Sequence, residues 1–149
     1  MDDATALPGP EYLELVGRLA YTTAGLEWLL LGDLPRLQAR APELPDVGSL
    51  ATKSSGRIAS KLQSAVAVVT DGNIKRYYEQ GAAALARAAE IRNHVLHARP
   101  ATVDGDQRLY RWTERPDEQF AITSEWLQAA LDELLALIRR VDSLRPAGQ

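Results

Sequence analysis

The sequence predicts an all-α domain, a four- to five-helix up-and-down bundle with a short irregular loop or hairpin between the last two long helices. Apolar residues recur at spacings of three and four along four long segments, which is the pattern of amphipathic helices. Proline and glycine turn signals separate these segments. With 149 residues, 46% of them hydrophobic, the chain can bury a core as one domain. We expect that domain to cover residues 1–149, with 1–9 and 145–149 disordered or frayed.

The composition excludes several classes of site and favours one compartment. The chain has no cysteine, which rules out disulfides, thiol catalysis and thiolate metal sites. Its acidic start lacks the basic and then apolar pattern of a signal peptide. No apolar run is long enough to cross a bilayer. We therefore expect a cytoplasmic protein without a membrane partner.

Charge is unevenly distributed along the chain, although the net charge is only −3. Residues 51–115 carry eleven basic and six acidic side chains, whereas both flanking segments are acidic. The middle of the chain is thus the part suited to a polyanion such as RNA. Arginine outnumbers lysine 14 to 3, which suits phosphate recognition but also follows from a GC-rich genome.

The first helix is expected over residues 10–31. Pro10 fits the first helical position, and Glu11 lies in the first turn, where the helix dipole favours a negative charge. The Gly-Asp-Leu-Pro sequence at 32–35 should end or kink the helix. A linker at 36–48, with room for one helical turn, follows.

The next two helices are expected at 49–69 and from 74 to 97 or 98. The segment 52–56 is polar and weakly helical, so the second helix can begin later than residue 49. An Asp-Gly-Asn turn signal separates the two helices. The small side chains at 81–84 allow another helix to pack closely there.

A loop is expected at 101–120, followed by a helix with a clear start. Within the loop, 103–106 reads as a turn and 108–112 as a short extended arm. Thr123 suits the N-cap of the last helix, and the apolar residues on either side fit a hydrophobic staple. Four large aromatic residues are expected to be packing residues: Trp28, Tyr77, Tyr78 and Trp126.

Residues 90–100 concentrate most of the usable chemistry, because they hold both histidines together with two arginines, an amide and a carboxylate. Asn93 and His97 are four positions apart and share a helix face, so the amide can orient the imidazole. Arg92 and His97 are five apart, about 140° around an ideal helix. Either the helix end bends near Pro100, or a second copy completes the site in a two-fold dimer.

A histidine beside arginines is suited to cleaving a phosphodiester. The imidazole can take the proton of the ribose 2′-hydroxyl or give one to the leaving 5′-oxygen. A guanidinium offsets the charge that grows on the phosphorane oxygens. No metal or other cofactor is needed when the RNA supplies its own nucleophile. The structural alternatives are that His97 only caps the helix C-terminus and that Arg92 pairs with a carboxylate on a neighbouring helix.

The sequence Arg-Asn-His-Val-Leu-His at 92–97 resembles the Arg-Asn-x-x-x-His form of the HEPN superfamily signature. The resemblance implies a HEPN-type helical bundle with the signature near the end of a long helix. It also implies a metal-independent endoribonuclease of the toxin–antitoxin or phage-defence kind, which would form a homodimer with a composite cleft and could have an antitoxin partner. In that case Arg92 stabilises phosphate, His97 is the general acid/base and Asn93 orients it. In the subgroup silenced by nucleotidylation a tyrosine stands where this chain has Arg99, so that control is not expected.

A second group of residues is predicted to hold RNA, with aromatic rings that stack on bases and arginines that contact phosphates. It comprises His94, Arg99, Arg108, Tyr110, Arg111 and Trp112. The structural alternative is a loop that two aromatic residues pin to the bundle.

Two other functional hypotheses stay open. One is a non-catalytic HEPN-like module that binds a partner protein, RNA or a nucleotide. The other is a DinB- or ferritin-like metal bundle using Glu90, His94 and His97, although no further histidine completes such a site.

Overall fold

A computed structural model of the chain describes residues 6–147. In this range the chain is mostly helical, as predicted, but it also contains a three-stranded antiparallel sheet of order β1-β2-β3, so the all-α expectation is wrong for this sheet. The helices are α1 (Pro10–Leu37), α2 (Val47–Leu50), α3 (Ser55–Val66), α4 (Gly72–Leu96) and α5 (Ser124–Ser143). The strands are β1 (Arg99–Val103), β2 (Asp106–Arg111) and β3 (Phe120–Ile122), with a 3-10 turn at Pro116–Glu118.

The helices do not follow a strict up-and-down order. Glu27 of α1 contacts Ser55 at the start of α3, and Arg40 after α1 contacts Asp71 after α3, so α1 and α3 run in the same direction. The connection at 38–54 therefore folds back along α1 before α3 begins. The helix α4 runs opposite to these two helices and packs against α1, α3 and α5.

The first helix continues for six residues beyond its predicted end, through Pro35 to Leu37. An internal proline removes one backbone hydrogen bond and costs about 3 kcal/mol. Burial of a leucine side chain contributes about 1.5–3 kcal/mol, and several leucines are buried here, so packing outweighs the proline. The fully buried leucines of this part of α1 are Leu30, Leu31, Leu34 and Leu37.

The predicted second helix is divided into two. A single turn, α2, is followed by an irregular segment, and α3 begins at Ser55 because Ser54 caps it by accepting a hydrogen bond from the Arg57 backbone N–H. The prediction that the polar segment 52–56 delays the helix is therefore confirmed.

The helix α4 lies in the middle of the core. Asp71 caps it by accepting hydrogen bonds from the backbone N–H groups of Asn73 and Ile74. Tyr77 and Tyr78 are fully buried, which confirms them as core residues. A Cβ atom at Gly81 would overlap the Leu30 side chain of α1, so the predicted close approach of another helix occurs here.

A β-hairpin occupies the first half of the predicted loop. Asp104 (φ 51°) and Gly105 (φ 84°) form a two-residue turn with both φ angles positive, the geometry that matches strand twist. Pro100 is tolerated because β1 is an edge strand. The extended arm predicted at 108–112 is confirmed as far as Arg111, the last residue of β2.

The last helix begins where predicted. The Thr123 hydroxyl accepts a hydrogen bond from the Trp126 backbone N–H, and Ile122 and Leu127 beside it are fully buried. Trp126 packs against the core, as expected. Trp28 does not: its side chain is 53% exposed on α1, so the prediction that it is a packing residue is wrong.

The end of the chain is held to the bundle as far as the structure describes it. Arg145 donates two hydrogen bonds to the buried carboxylate of Asp33, and Pro146 is buried. At the other end, residues 6–9 of the predicted disordered segment have no regular secondary structure. Residues 1–5 and 148–149, for which disorder or fraying was also predicted, lie outside the described range. None of the described helices combines the length and the apolar character needed to cross a membrane.

Candidate functional site

The segment with the HEPN-like signature lies in the last two turns of α4, where the helix stays regular. Helical geometry extends through Leu96, and His97 is the C-cap, with φ −97° and ψ 4°. The His97 backbone N–H still donates to the Asn93 carbonyl at 3.0 Å. The helix therefore does not bend between Arg92 and Leu96, and the angular separation expected between Arg92 and His97 persists.

Arg92 points toward α3 and α1. Its Nη1 donates a hydrogen bond to the Ser55 hydroxyl at 2.9 Å, and that hydroxyl donates to the Glu27 carboxylate at 2.6 Å. Ser55 is only 2% exposed, and Arg92 is partly buried, with its Nε enclosed and unpartnered among the described residues. Arg92 thus reaches a carboxylate on a neighbouring helix through a hydroxyl rather than by a direct ion pair.

The position of Ser55 is set by the residue at which α3 begins. Because Ser54 supplies the cap, Ser55 is the first helical residue and is buried between α1 and α4. Glu27 and Ser55 were not among the predicted site residues. No local signal marks them, since Ser55 is 28 positions from Glu27 and 37 from Arg92.

His97 and Asn93 are both exposed at the end of α4. Neither side chain makes a hydrogen bond within residues 6–147, so the amide does not hold the imidazole in this arrangement. The imidazole is therefore accessible to a substrate or to a partner. The carbonyl of His97 accepts a long hydrogen bond, 3.4 Å, from Nη1 of Arg111.

His94 lies on another side of α4 and packs between β3 and α5. Its ring meets Phe120 and Trp126 edge to face, with centroid distances of 5.4 and 6.1 Å. Burial lowers the pKa of His94, the positive charges of Arg111 and Arg87 lower it further, and Glu90 opposes them. The half-buried imidazole contributes packing in this setting.

The predicted RNA-binding residues on the hairpin lie on two faces of the sheet. Strand register places Arg99 opposite Tyr110, and the Arg99 guanidinium lies 5.9 Å from that ring. Because side chains alternate along a strand, Arg108 shares this face, whereas Arg111 points toward α4. Trp112, just beyond β2, is half exposed.

The two remaining arginines of the hairpin, Arg108 and Arg111, differ in the contacts that their guanidinium groups make. The guanidinium of Arg108 lies 4.7 Å from the Tyr12 ring and 3.6 Å from the Asp106 carboxylate. The Nε of Arg111 is buried and has no partner in the described part of the chain. Arg111 therefore lies next to His97, while Arg108 is held toward α1.

The three candidate metal ligands do not converge. Glu90 forms an ion pair with Arg87 at 3.1 Å, His94 packs against aromatic rings, and the side chain of His97, the C-cap residue, is exposed. Within residues 6–147, no group of three histidine, aspartate or glutamate side chains is arranged to hold a metal ion.

No protein-family model, curated protein or solved structure matches the chain.

Proposed function

We propose that this protein is a metal-independent endoribonuclease of the HEPN kind, with a site built between two copies of the chain at the ends of their α4 helices. One observation carries the proposal: within the last two turns of a regular helix, Arg92 is tethered while the His97 imidazole is exposed and unpartnered among the described residues. The tether fixes the guanidinium, and exposure leaves the imidazole free to exchange protons with a substrate.

The reaction needs two proton transfers and one cation. The 2′-oxygen of the ribose attacks phosphorus while its proton passes to a neutral His97. The bond from phosphorus to the 5′-oxygen breaks, and a protonated His97 supplies the proton of the leaving hydroxyl. Arg92 stabilises the charge on the phosphorane oxygens, and the products are a 2′,3′-cyclic phosphate and a 5′-hydroxyl. One His97 serves both roles in turn, because the proton that it accepts from the 2′-hydroxyl is the one that it supplies to the leaving 5′-oxygen.

The regular helix is the reason for invoking a second copy. Five positions on an ideal helix separate two side chains by about 140°, so Arg92 and His97 of one chain do not readily meet one phosphate. A two-fold axis beside the ends of two α4 helices brings Arg92 of one copy near His97 of the other. The isologous arrangement then produces two equivalent sites.

The hairpin supplies contacts for the flanking RNA. Arg111 lies at the His97 carbonyl, and Arg99 and Trp112 lie on or next to the same sheet. Guanidinium groups pair with phosphate oxygens, and an exposed indole provides a stacking surface for a base. These contacts hold RNA with little sequence preference.

The test is cleavage of end-labelled RNA in EDTA by the wild type and by His97→Ala and Arg92→Ala. Loss of a general acid/base is expected to reduce the rate about 100-fold or more. Arg139→Ala is the matched control, since Arg139 is exposed on α5 and pairs with no other described residue. Fragments with 2′,3′-cyclic phosphate from the wild type and the control alone support the proposal; equal cleavage by all four proteins contradicts it.

The second candidate is a HEPN-like module that binds RNA without cutting it. The enclosure of the Arg92 Nε and its tether to Ser55 favour it, because a guanidinium held this way can be purely structural. Fluorescence anisotropy with labelled RNA separates the two candidates. RNA binding that weakens in Arg111→Ala, without cleavage by the wild type, indicates the module.

A further inference from the structure

A basic cavity lies at the opposite end of α4 from the HEPN-like signature. It has a volume of about 370 Å³ and forms where the turn after α1, the first turn of α4 and the chain after α5 meet. Arg76 and Arg92 are sixteen positions apart on one helix, so about 24 Å separates this cavity from the proposed RNA site. The lining side chains with polar or charged ends are Arg40, Asn73, Arg76, Ser143 and Arg145.

Two of the three arginines are fixed by contacts with the bundle. The Nε and Nη2 of Arg145 each donate to the Asp33 carboxylate at 2.8 Å, and that carboxylate, 1% exposed, also accepts from the Tyr77 hydroxyl at 2.6 Å. Arg40 donates to the Asp71 carboxylate at 2.9 Å and to the Ala147 carbonyl at 3.0 Å. The guanidinium groups of Arg40 and Arg145 are therefore positioned before any ligand arrives.

The charge balance leaves the cavity positive. Three arginines line it, and none of the described residues in its lining is acidic. Asp33 and Asp71 lie just outside the lining, and Arg36 adds a further cation on Asp33. Asp142, next to the lining residue Ser143, also acts on Arg145 with its negative charge. Four arginines against these three carboxylates give a local excess of one positive charge. Arg76 is exposed and forms no ion pair within residues 6–147.

We infer that this cavity binds a compact phosphorylated anion that carries a pyrophosphoryl group, either free or as part of a nucleotide. The planar guanidinium of Arg76 can pair with phosphate oxygens by two parallel hydrogen bonds. Arg40 and Arg145, whose paired donors already hold Asp71, Ala147 and Asp33, contribute positive charge and their remaining N–H donors. A volume near 370 Å³ is in the range of small-molecule pockets. The inference does not depend on the proposed ribonuclease, because the two sites share no residue.

Isothermal titration calorimetry with inorganic pyrophosphate tests the inference, using the full chain. Arg76→Gln removes the one lining arginine that is exposed and forms no side-chain hydrogen bond or ion pair in the described range, so this variant should fold like the wild type. Loss of a charge-assisted contact is expected to weaken binding on the order of tenfold. Arg57→Gln, an exposed arginine at the start of α3 with no side-chain partner in residues 6–147, is the matched control and should bind like the wild type.

Sulfate at equal ionic strength shows whether recognition is specific, and ADP shows whether the anion can be part of a nucleotide. Weaker binding by Arg76→Gln alone, with sulfate at least about tenfold weaker than pyrophosphate, supports the inference. The inference is overturned if neither pyrophosphate nor ADP produces heat at millimolar concentration, if Arg76→Gln binds like the wild type, or if sulfate binds equally well.

Discussion

At the scale of single residues, Ser55 connects two charged side chains on different helices. Its hydroxyl donates to Glu27 and accepts from Arg92, and all three side chains are at least partly buried. A hydrogen bond to a charged group contributes about 1.5–3 kcal/mol, more than one between neutral groups. Ser55 is therefore both a stabilising residue and the group that positions Arg92.

We expect Ser55→Ala to lower the free energy of unfolding by about 1–3 kcal/mol, because Arg92 and Glu27 both lose a partner. Urea denaturation measures the change. Ser60→Ala is the matched control on the same helix, since Ser60 is exposed and its hydroxyl forms no hydrogen bond in the described part of the chain. Equal stability of the two variants would show that the bridge contributes nothing.

Asp33 makes the stability of the folded protein depend on pH in the acidic range. Burial acts to raise the pKa of Asp33, but hydrogen bonds from Arg145, Arg36 and Tyr77 outweigh it and lower the pKa to about 2. A carboxylate with a depressed pKa stabilises the folded state above its unfolded pKa, near 4, and loses that contribution as the pH falls through its folded pKa.

The expected result is a gap in unfolding free energy between wild type and Asp33→Asn that shrinks by about 2 kcal/mol from pH 5 to pH 2. Chemical denaturation at intervals of half a pH unit measures this gap. Other carboxylates titrate in both proteins, so the difference isolates Asp33. A gap that stays constant across the range would contradict the prediction.

At the scale of secondary-structure elements, α1 and α4 approach closely at Gly81. A Cβ atom there would meet the fully buried Leu30 side chain, whereas a Cβ atom at Gly25 of α1 would meet nothing within 4 Å. Both glycines are helical, so alanine brings the same gain in helix propensity at each. Only the substitution at Gly81 also overpacks the contact between α1 and α4.

Gly25→Ala should therefore raise the free energy of unfolding by about 0.5–1 kcal/mol. Gly81→Ala should be about 1–3 kcal/mol less stable than Gly25→Ala, because Leu30 must move within a packed core. Thermal and urea unfolding of both variants provide the comparison. Equal stabilisation by the two substitutions would mean that Leu30 relaxes without cost.

At the scale of the whole molecule, the proposed ribonuclease requires two chains. Light scattering should give a mass near twice the 16.3 kDa of one chain. Arg92→Ala and His97→Ala should each be inactive alone, yet refolding them together should restore about a quarter of wild-type activity. Half of the dimers are then mixed, and each mixed dimer keeps one of its two sites intact.

A mixture as inactive as its separate components would place Arg92 and His97 in the same chain or remove the site altogether. Mixing two preparations of Arg92→Ala under the same conditions is the control for refolding. A monomer with full wild-type cleavage would contradict the two-chain site directly.

Much of the fold is predictable from the sequence because it depends on local interactions. Asp71 and Thr123 cap the helices that follow them, and Asp104-Gly105 forms a tight turn, because each acts on backbone groups within a few positions. The buried tyrosines and the long helices were predictable for the same reason, since periodicity is a property of neighbouring residues. The candidate residues at 92–97 were predictable too, because their polar and charged side chains lie close together on one helix.

The remaining features depend on contacts between distant positions. The helix α1 passes through Pro35 because buried leucines outweigh a local helix breaker, and the strands form because β2 pairs on both sides. Asp33 meets Arg145 across 112 positions, and Arg92 meets Ser55 across 37. Sequence periodicity assigns a side chain to a helix face, but it does not reveal which distant hydroxyl or carboxylate meets that face. Packing of the helices determines that partner, and with it the setting of both Arg92 and the basic cavity.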